Sequence, residues 1–302
     1  MVSLLVVTTF IGDQAFSETL RQRLYLCLAG HGYWLARFPS KYSSANNHRV
    51  AEAGGLYLLG SLVPALRHAA HWARSSREIL EAELARQFHD DSVGAEQSPT
   101  YSAFTLEWFL LCATVGGRLG DTWSQASWQR MARAGHHLRA VTDMSGHQPR
   151  IGDDDEGRVL YSQQDPQDYS LDTCPPPPAS PTWRARPRIT PHLGQAMFGA
   201  AVPAARDRFE YASFPDGGNT AIREWRQGDE ILWVMYHGPL GYLSIATHGH
   251  ADALSLWLHI NGRPVLADAG TYLGVMGRQE GLHHLLATID HLVHRQGQRD
   301  IC

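Results

Sequence analysis

The apolar positions of this chain keep one period in its first half and another near its end. Tyr101, Phe104, Trp108, Leu111 and Val115 recur at helical spacing. They follow Ser98-Pro99, where serine caps a helix and proline suits its first turn. Leu80, Leu84 and Phe88 lie four apart on one face of a second predicted helix, and Trp128, Met131, Gly135 and Leu138 mark a third after Asp121-Thr122. Pro64 is read as opening a helix, because an interior proline costs about 3 kcal/mol. Helical stripes joined by short polar turns predict antiparallel helical hairpins.

Residues 149 to 182 break this pattern with acids and prolines, including Pro175 to Pro178, and read as a linker or surface loop. Trp183 to Arg206 reads as a helix plus loop. Strands then dominate: Phe209-Glu210-Tyr211, Ile222 to Trp225 beyond the turn Asp216-Gly217-Gly218-Asn219, and Ile231 to Tyr236. Closely spaced strands with Gly-rich turns predict an antiparallel β-sandwich. The expected organisation is helical over 1–148, linker and loop over 149–206, and sandwich over 207–302.

The densest chemistry lies on one predicted hairpin. Leu254, Leu256, Leu258 and Ile260 alternate with Ser255, Trp257 and His259, the period of a half-buried strand. Asn261-Gly262 follows, a strong turn signal between antiparallel strands, and Val265-Leu266-Ala267 runs back to Asp268. The motif His248-Gly249-His250-Ala251-Asp252 enters this hairpin, and Asp268 returns eighteen residues after His250 to the same end. Gly249 lets the incoming segment fold over it. Residues i and i+2 of a strand share a face, so both imidazoles and one carboxylate converge as metal ligands or as acid and base groups. A structural His–Asp hydrogen bond is the plain alternative. Imidazole with carboxylate and no nearby thiolate suits zinc.

Hydrophobic content of 43% supports a packed core, and the length allows roughly two domains. A net charge of −4 gives no bulk attraction for nucleic acid. An acidic polymer would need a local cationic cleft, for which Arg49 and Arg223 are candidates. Cys27, Cys112, Cys174 and Cys302 are far apart and suggest no disulfide framework. No segment is long enough to span a membrane. Val2 to Val7 is apolar but lacks a basic flank and a cleavage site, so no signal peptide is expected. The adjacent pairs His136-His137 and His283-His284 read as solvated, and Glu96 as a surface or capping acid.

Several segments resemble, in order, the heparinase II/III-type polysaccharide lyases, which include alginate lyases. The C-terminal match is Gly238-Pro239-Leu240-Gly241, then His248 to Ser255, then Gly262 to Tyr272. Asn46-Asn47-His48-Arg49 is similar to the family's Asn-His element. Glu96-Gln97-Ser98-Pro99-Thr100-Tyr101 is similar to the segment carrying its catalytic tyrosine, and Pro149 to Asp155 resembles the linker after its helical domain. The resemblance implies an (α/α) toroid of helical hairpins followed by an antiparallel β-sandwich, both incomplete here. The helices are too few to close a toroid, and Gly274 to Cys302 lacks the family pattern, so a truncated member with impaired activity is expected.

The implied reaction is β-elimination on a uronic-acid-containing acidic polysaccharide. By resemblance, Asn47 and His48 contact the substrate carboxylate, Tyr101 donates a proton to the leaving oxygen, and His248 is a base or neutraliser. A phenol of ordinary pKa near ~10 is a poor base at neutral pH and needs a neighbouring cation. His250 and Asp268 would hold zinc, with His291 a further ligand candidate at about the right distance but in unfamiliar surroundings. A periplasmic or cell-envelope location is also implied. The rival readings are a zinc-dependent glycan hydrolase and a non-catalytic glycan-binding or vestigial protein.

Overall fold

The helical stripes and the period-two segments fold as two packed layers. A computed structural model describes residues 1–12, 15–154, 157–160, 209–242, 245–246 and 248–268. Six α-helices come first: α1 (Val2–Ile11), α2 (Glu18–Arg37), α3 (Asn47–Leu62), α4 (Ala69–Gln87), α5 (Pro99–Leu119) and α6 (Gln125–Val141). Among the described residues a five-stranded antiparallel sheet follows in simple up-and-down order: β1 (Phe209–Phe214), β2 (Asn219–Arg226), β3 (Asp229–Tyr236), β4 (Leu256–Ile260) and β5 (Arg263–Leu266). The expected helix plus loop at 183–206 and the tail from Gly274 lie outside the described residues.

Local chemistry sets the helix starts. Ser98 accepts a hydrogen bond from the Tyr101 amide with Pro99 in the first turn, as its sequence predicts. Asn46, not Asn47, caps α3 by accepting from the His48 amide, which places Asn47 at the first helical position. Pro64 opens no helix; it lies in the turn between α3 and α4, where its missing N–H leaves no bond unmade. The helical core is closed by Tyr57, Leu59, Leu80, Phe88, Leu106, Phe109, Leu110, Met131 and Leu138, all nearly inaccessible.

The hairpin turn is the one the sequence predicts. Asn261 and Gly262 have φ of 51° and 73°, the left-handed pair that a tight two-residue turn needs. The face of β4 toward the helices, however, carries Trp257 and His259, while on the other face Leu258 is buried and Leu254, Leu256 and Ile260 are exposed. Register explains this. Val234 pairs with Trp257 and Leu232 with His259, so these four share one face with Ala221 and Arg223. That face packs on Val141 and Ala140 at the end of α6.

A buried charge cluster joins the two layers. Arg223, 3% exposed, pairs with Glu230 on the adjacent strand. Its other guanidinium nitrogen donates to the carbonyls of Arg139, Ala140 and Thr142, which end α6. Glu230 in turn accepts from the Met144 amide. Arg223 is therefore no cleft lining; it caps a helix C-terminus from across the interface, where a cation is favoured. His137 is likewise not solvated. It is buried edge-on to Phe214 at 4.8 Å, and burial pushes its pKa down to about 4. His283 and His284 lie outside the described residues.

Removing one partner of a buried ion pair strands the other charge in low dielectric. Arg223→Ala is expected to lower unfolding stability by about 3–5 kcal/mol, measured by denaturant titration. A loss within ~0.5 kcal/mol, typical of an ordinary surface site, would contradict this junction.

Candidate active site

The chemistry-bearing residues meet at the seam between the layers. Asn47, at the start of α3, is buried and faces Glu96 in the segment before α5. Its amide N–H donates to Glu96 Oε1 at 2.9 Å and its side-chain Nδ2 to Glu96 Oε2 at 2.8 Å. The same Nδ2 lies 3.3 Å from His248 Nε2, which is 3.2 Å from Glu96 Oε2. The Tyr101 ring, from the first turn of α5, stacks on the His248 ring with centroids 3.7 Å apart and planes at 22°. Thus Asn47, Tyr101 and His248, separated by up to 201 positions, form one contact group.

Asp153 completes it. Its carboxylate takes His248 Nδ1 at 2.8 Å and His250 Nε2 at 2.7 Å, one imidazole on each oxygen. Its main chain is tied on both sides: Ser98 Oγ donates to its carbonyl at 2.7 Å, and its N–H donates to the His248 carbonyl at 3.1 Å. Gly152 precedes it with φ 65°, a left-handed value that favours glycine, and its N–H donates to Asp252 Oδ2 at 2.7 Å. A side chain at Gly152 would strike the His248 carbonyl. A Cβ at Gly249 would strike the Leu240 carbonyl, so glycine there lets the incoming segment fold tightly, as its place in the motif predicts.

Electrostatics follow from this packing. Hydrogen bonds from His248 and His250 hold the Asp153 carboxyl well below the usual carboxylate range. Asp153, helped by Asp252 and Asp268, raises the His250 pKa against the opposing effect of burial. Burial pushes the Glu96 carboxyl up, although the Asn47 hydrogen bonds and the His248 ring favour its charge. With Nδ1–H of His248 committed to Asp153, Nε2 and Glu96 can share one proton between them. That arrangement offers a base and an acid in one contact.

The remaining predicted residues fall less centrally. His48 is exposed beside Asn47. Asp268 is half-buried and close enough to His250 to raise that group's proton affinity. His291 lies outside the described residues. His250 Nε2 faces a carboxylate oxygen as an N–H donor, which leaves Nδ1 as the nitrogen able to ligate a metal. The described group whose three donors do converge is Asp143, His147 and His259, within 4.8 Å of one another. Sequence reasoning missed Asp153 and undervalued Glu96, which is 3% exposed. Neither sits at a telling spacing from the histidines.

The signs of the two shifts set a pH window. A lowered Asp153 pKa gives stability that is full above the ordinary ~3.9 and lost as pH falls through the folded value. A raised His250 pKa gives stability that is full below the ordinary ~6.5 and lost as pH rises through the folded value. The clamp is therefore strongest between these limits. In metal-free protein, Asp153→Asn is expected to lower the His250 titration midpoint read by NMR. An unchanged midpoint would contradict the pairing.

Two family models match the chain: Heparinase II/III N-terminus over residues 6–122 and Heparinase II/III-like, C-terminal over residues 206–291. No curated protein sequence matches it. Among solved structures it is similar to heparinase III, with a TM-score of 0.66 and 15% identity over 92% of this chain and 43% of that one. It is also similar to heparan sulfate lyase HepC from Pedobacter heparinus, with a TM-score of 0.55 and 18% identity over 83% of this chain and 36% of that one. A further heparinase III gives 0.59 and 16% over 88% and 38%. The chain thus spans less than half the length of these relatives, and at such identities the likeness speaks for the fold. With both family models matched in order and the helical-then-sheet architecture shared, the chain belongs to the heparinase II/III family.

Proposed function

We propose that the seam is the centre of a polysaccharide lyase that cleaves a uronic-acid-containing acidic polymer, heparan sulfate-type chains included, by β-elimination. The observation that carries this reading is the stacking of Tyr101 on His248 with Asn47 beside the same imidazole. In the elimination a base removes the proton α to the uronate carboxylate. The electron pair left behind forms a carbon–carbon double bond, the bond to the 4-linked sugar oxygen breaks, and an acid protonates that oxygen. The difficult species is the carbanion, whose charge spreads onto the carboxylate as an aci-form. Fixed donors aimed at that carboxylate stabilise it without reorganising.

Each residue has a part matched to its surroundings. The Asn47 side-chain amide, held by Glu96, is a donor for the carboxylate, and the His248 ring, locked by Asp153, is a base or neutraliser beside it. His48, exposed one residue beyond Asn47, meets the same group from the solvent side. Tyr101 protonates the leaving oxygen and, where stereochemistry places the α proton and that oxygen on one face, also takes the α proton. The Glu96–His248 pair takes or returns the proton that the phenol exchanges. His250 supports the site through Asp153, and no step is routed through a metal. A substrate of this class places the protein in the cell envelope or outside the cell.

The test is an ultraviolet screen for unsaturated product with heparan sulfate, alginate and a neutral glucan. Absorbance should rise with at least one uronate polymer and not with the glucan. Tyr101→Phe should lower the rate about 10²–10⁴-fold, and Asn47→Ala about 10²–10³-fold, each with the folded circular dichroism spectrum retained. Chain cleavage without any absorbance rise would contradict elimination and favour hydrolysis. Binding of the polymers without turnover would favour a glycan-binding protein.

A further inference from the structure

We propose that Asp143, His147 and His259 form a second, separate site for a divalent transition metal, zinc by the chemistry of its donors, which clamps the loop after α6 to strand β4. It shares no residue with the Asn47–Tyr101–His248 group and does not rest on the lyase reading.

The geometry is that of a built site. Asp143 Oδ2 lies 2.7 Å from His259 Nδ1 and 3.1 Å from His147 Nδ1, so two imidazoles aim the same ring atom at one carboxylate oxygen. The other oxygen, Oδ1, is already held by the Ser145 and His147 amides at 2.8 and 2.9 Å, which fixes the carboxylate with Oδ2 outward. Asp143 is 1% exposed. His259 is buried on β4, its ring stacked on Trp257 with centroids 3.5 Å apart. Two of the three donors are therefore locked before any ion arrives. His147 is the half-exposed member and leaves a way in.

Donor type selects the ion. Two imidazoles with one carboxylate suit zinc and are poor for calcium or magnesium, which take oxygen ligands. Zinc bonds of about 2.0–2.2 Å to nitrogen and oxygen put tetrahedral ligand atoms about 3.4 Å apart. Asp143 Oδ2 lies closer than that to both Nδ1 atoms, at 2.7 and 3.1 Å, as hydrogen-bonded partners do before an ion enters between them, and all three donors stay within 4.8 Å. Three protein donors leave the fourth position for water. The proton balance is simple. In the hydrogen-bonded state each neutral ring carries its proton on Nδ1; when zinc takes Nδ1, the ring keeps one proton, moved to Nε2.

The donors also come from both layers. Asp143 and His147 follow α6, and His259 stands beside Leu232 on the sheet face that α6 covers. The buried Arg223–Glu230 pair reaches the same loop through Thr142 and Met144. An ion here would fix the sheet against the helices beside the small apolar cluster of Val141, Leu232 and Trp257.

The experiment uses the full chain, stripped with chelator and then given zinc, calcium or magnesium. Metal retained after desalting is measured by elemental analysis, and ring tautomers by nitrogen-15 NMR of labelled histidine. The expected result is one more zinc per chain in the wild type than in His147→Gln, no retained calcium or magnesium, and a shift of His147 and His259 from the Nδ1–H to the Nε2–H form with zinc. His250→Ala should keep this zinc, which separates the site from any ion near His250. Since His147 is half-exposed, its variant should stay folded, and the tautomer shift needs no variant. Equal zinc in the wild type and His147→Gln, or Nδ1 protons that persist with saturating zinc, would overturn the proposal.

Discussion

The carboxylate of Asp153 is the interaction on which the rest of the site depends. It stands in the segment that leaves the helical layer, yet it grips both histidines of a loop that precedes β4. Its main chain is hydrogen-bonded to Ser98, the cap of the helix carrying Tyr101, and to His248 itself. One residue therefore sets the distance between the phenol-bearing helix and the imidazole stacked on it. A site drawn from two layers is only as precise as the joint between them, and errors of ~1 Å can cost about a hundredfold in rate.

That joint is polar for most of its length, which is unusual for the inside of a small protein. Arg223, Glu230, Asp143 and His259 are all nearly inaccessible, and each is paired. Buried pairs add little net stability compared with apolar packing, but breaking one is costly. Their effect is to penalise any misalignment of sheet and helices that would separate a charge from its partner. The apolar contribution at the joint is small, centred on Val141, Leu232, Val234 and Trp257. Directional bonds rather than area fix the relative position of the two layers. His248 itself adopts a left-handed backbone, φ 62°, a conformation rare for a side-chain-bearing residue and held by the bonds around it.

Much of the architecture was legible in the chain. Ser98-Pro99 announced α5, Asn261-Gly262 announced the β4–β5 turn, and period two announced the strands, because each signal is local. The orientation of β4 was not legible: Leu254, Leu256 and Ile260 look like a core face, but Arg223 and α6 sit on the opposite side. Of the candidate residues, Asn47, Tyr101 and His248 are brought together. Asp153 escaped notice and Glu96 read as a surface or capping acid, since their partners lie 95 and 49 positions away and only the fold supplies the contact. His137 and Arg223 show the converse. Polar residues suggest solvent until a cross-layer ring or carbonyl claims them.

The most direct test of this account is the nuclear Overhauser contact between the ring protons of Tyr101 and His248 in selectively labelled protein. In the wild type a strong cross-peak is expected, as the centroid spacing of 3.7 Å requires. In Asp153→Ala, with helix content unchanged, that peak should weaken or vanish. A peak of undiminished intensity in the variant would show that something other than the Asp153 carboxylate holds the imidazole against the phenol.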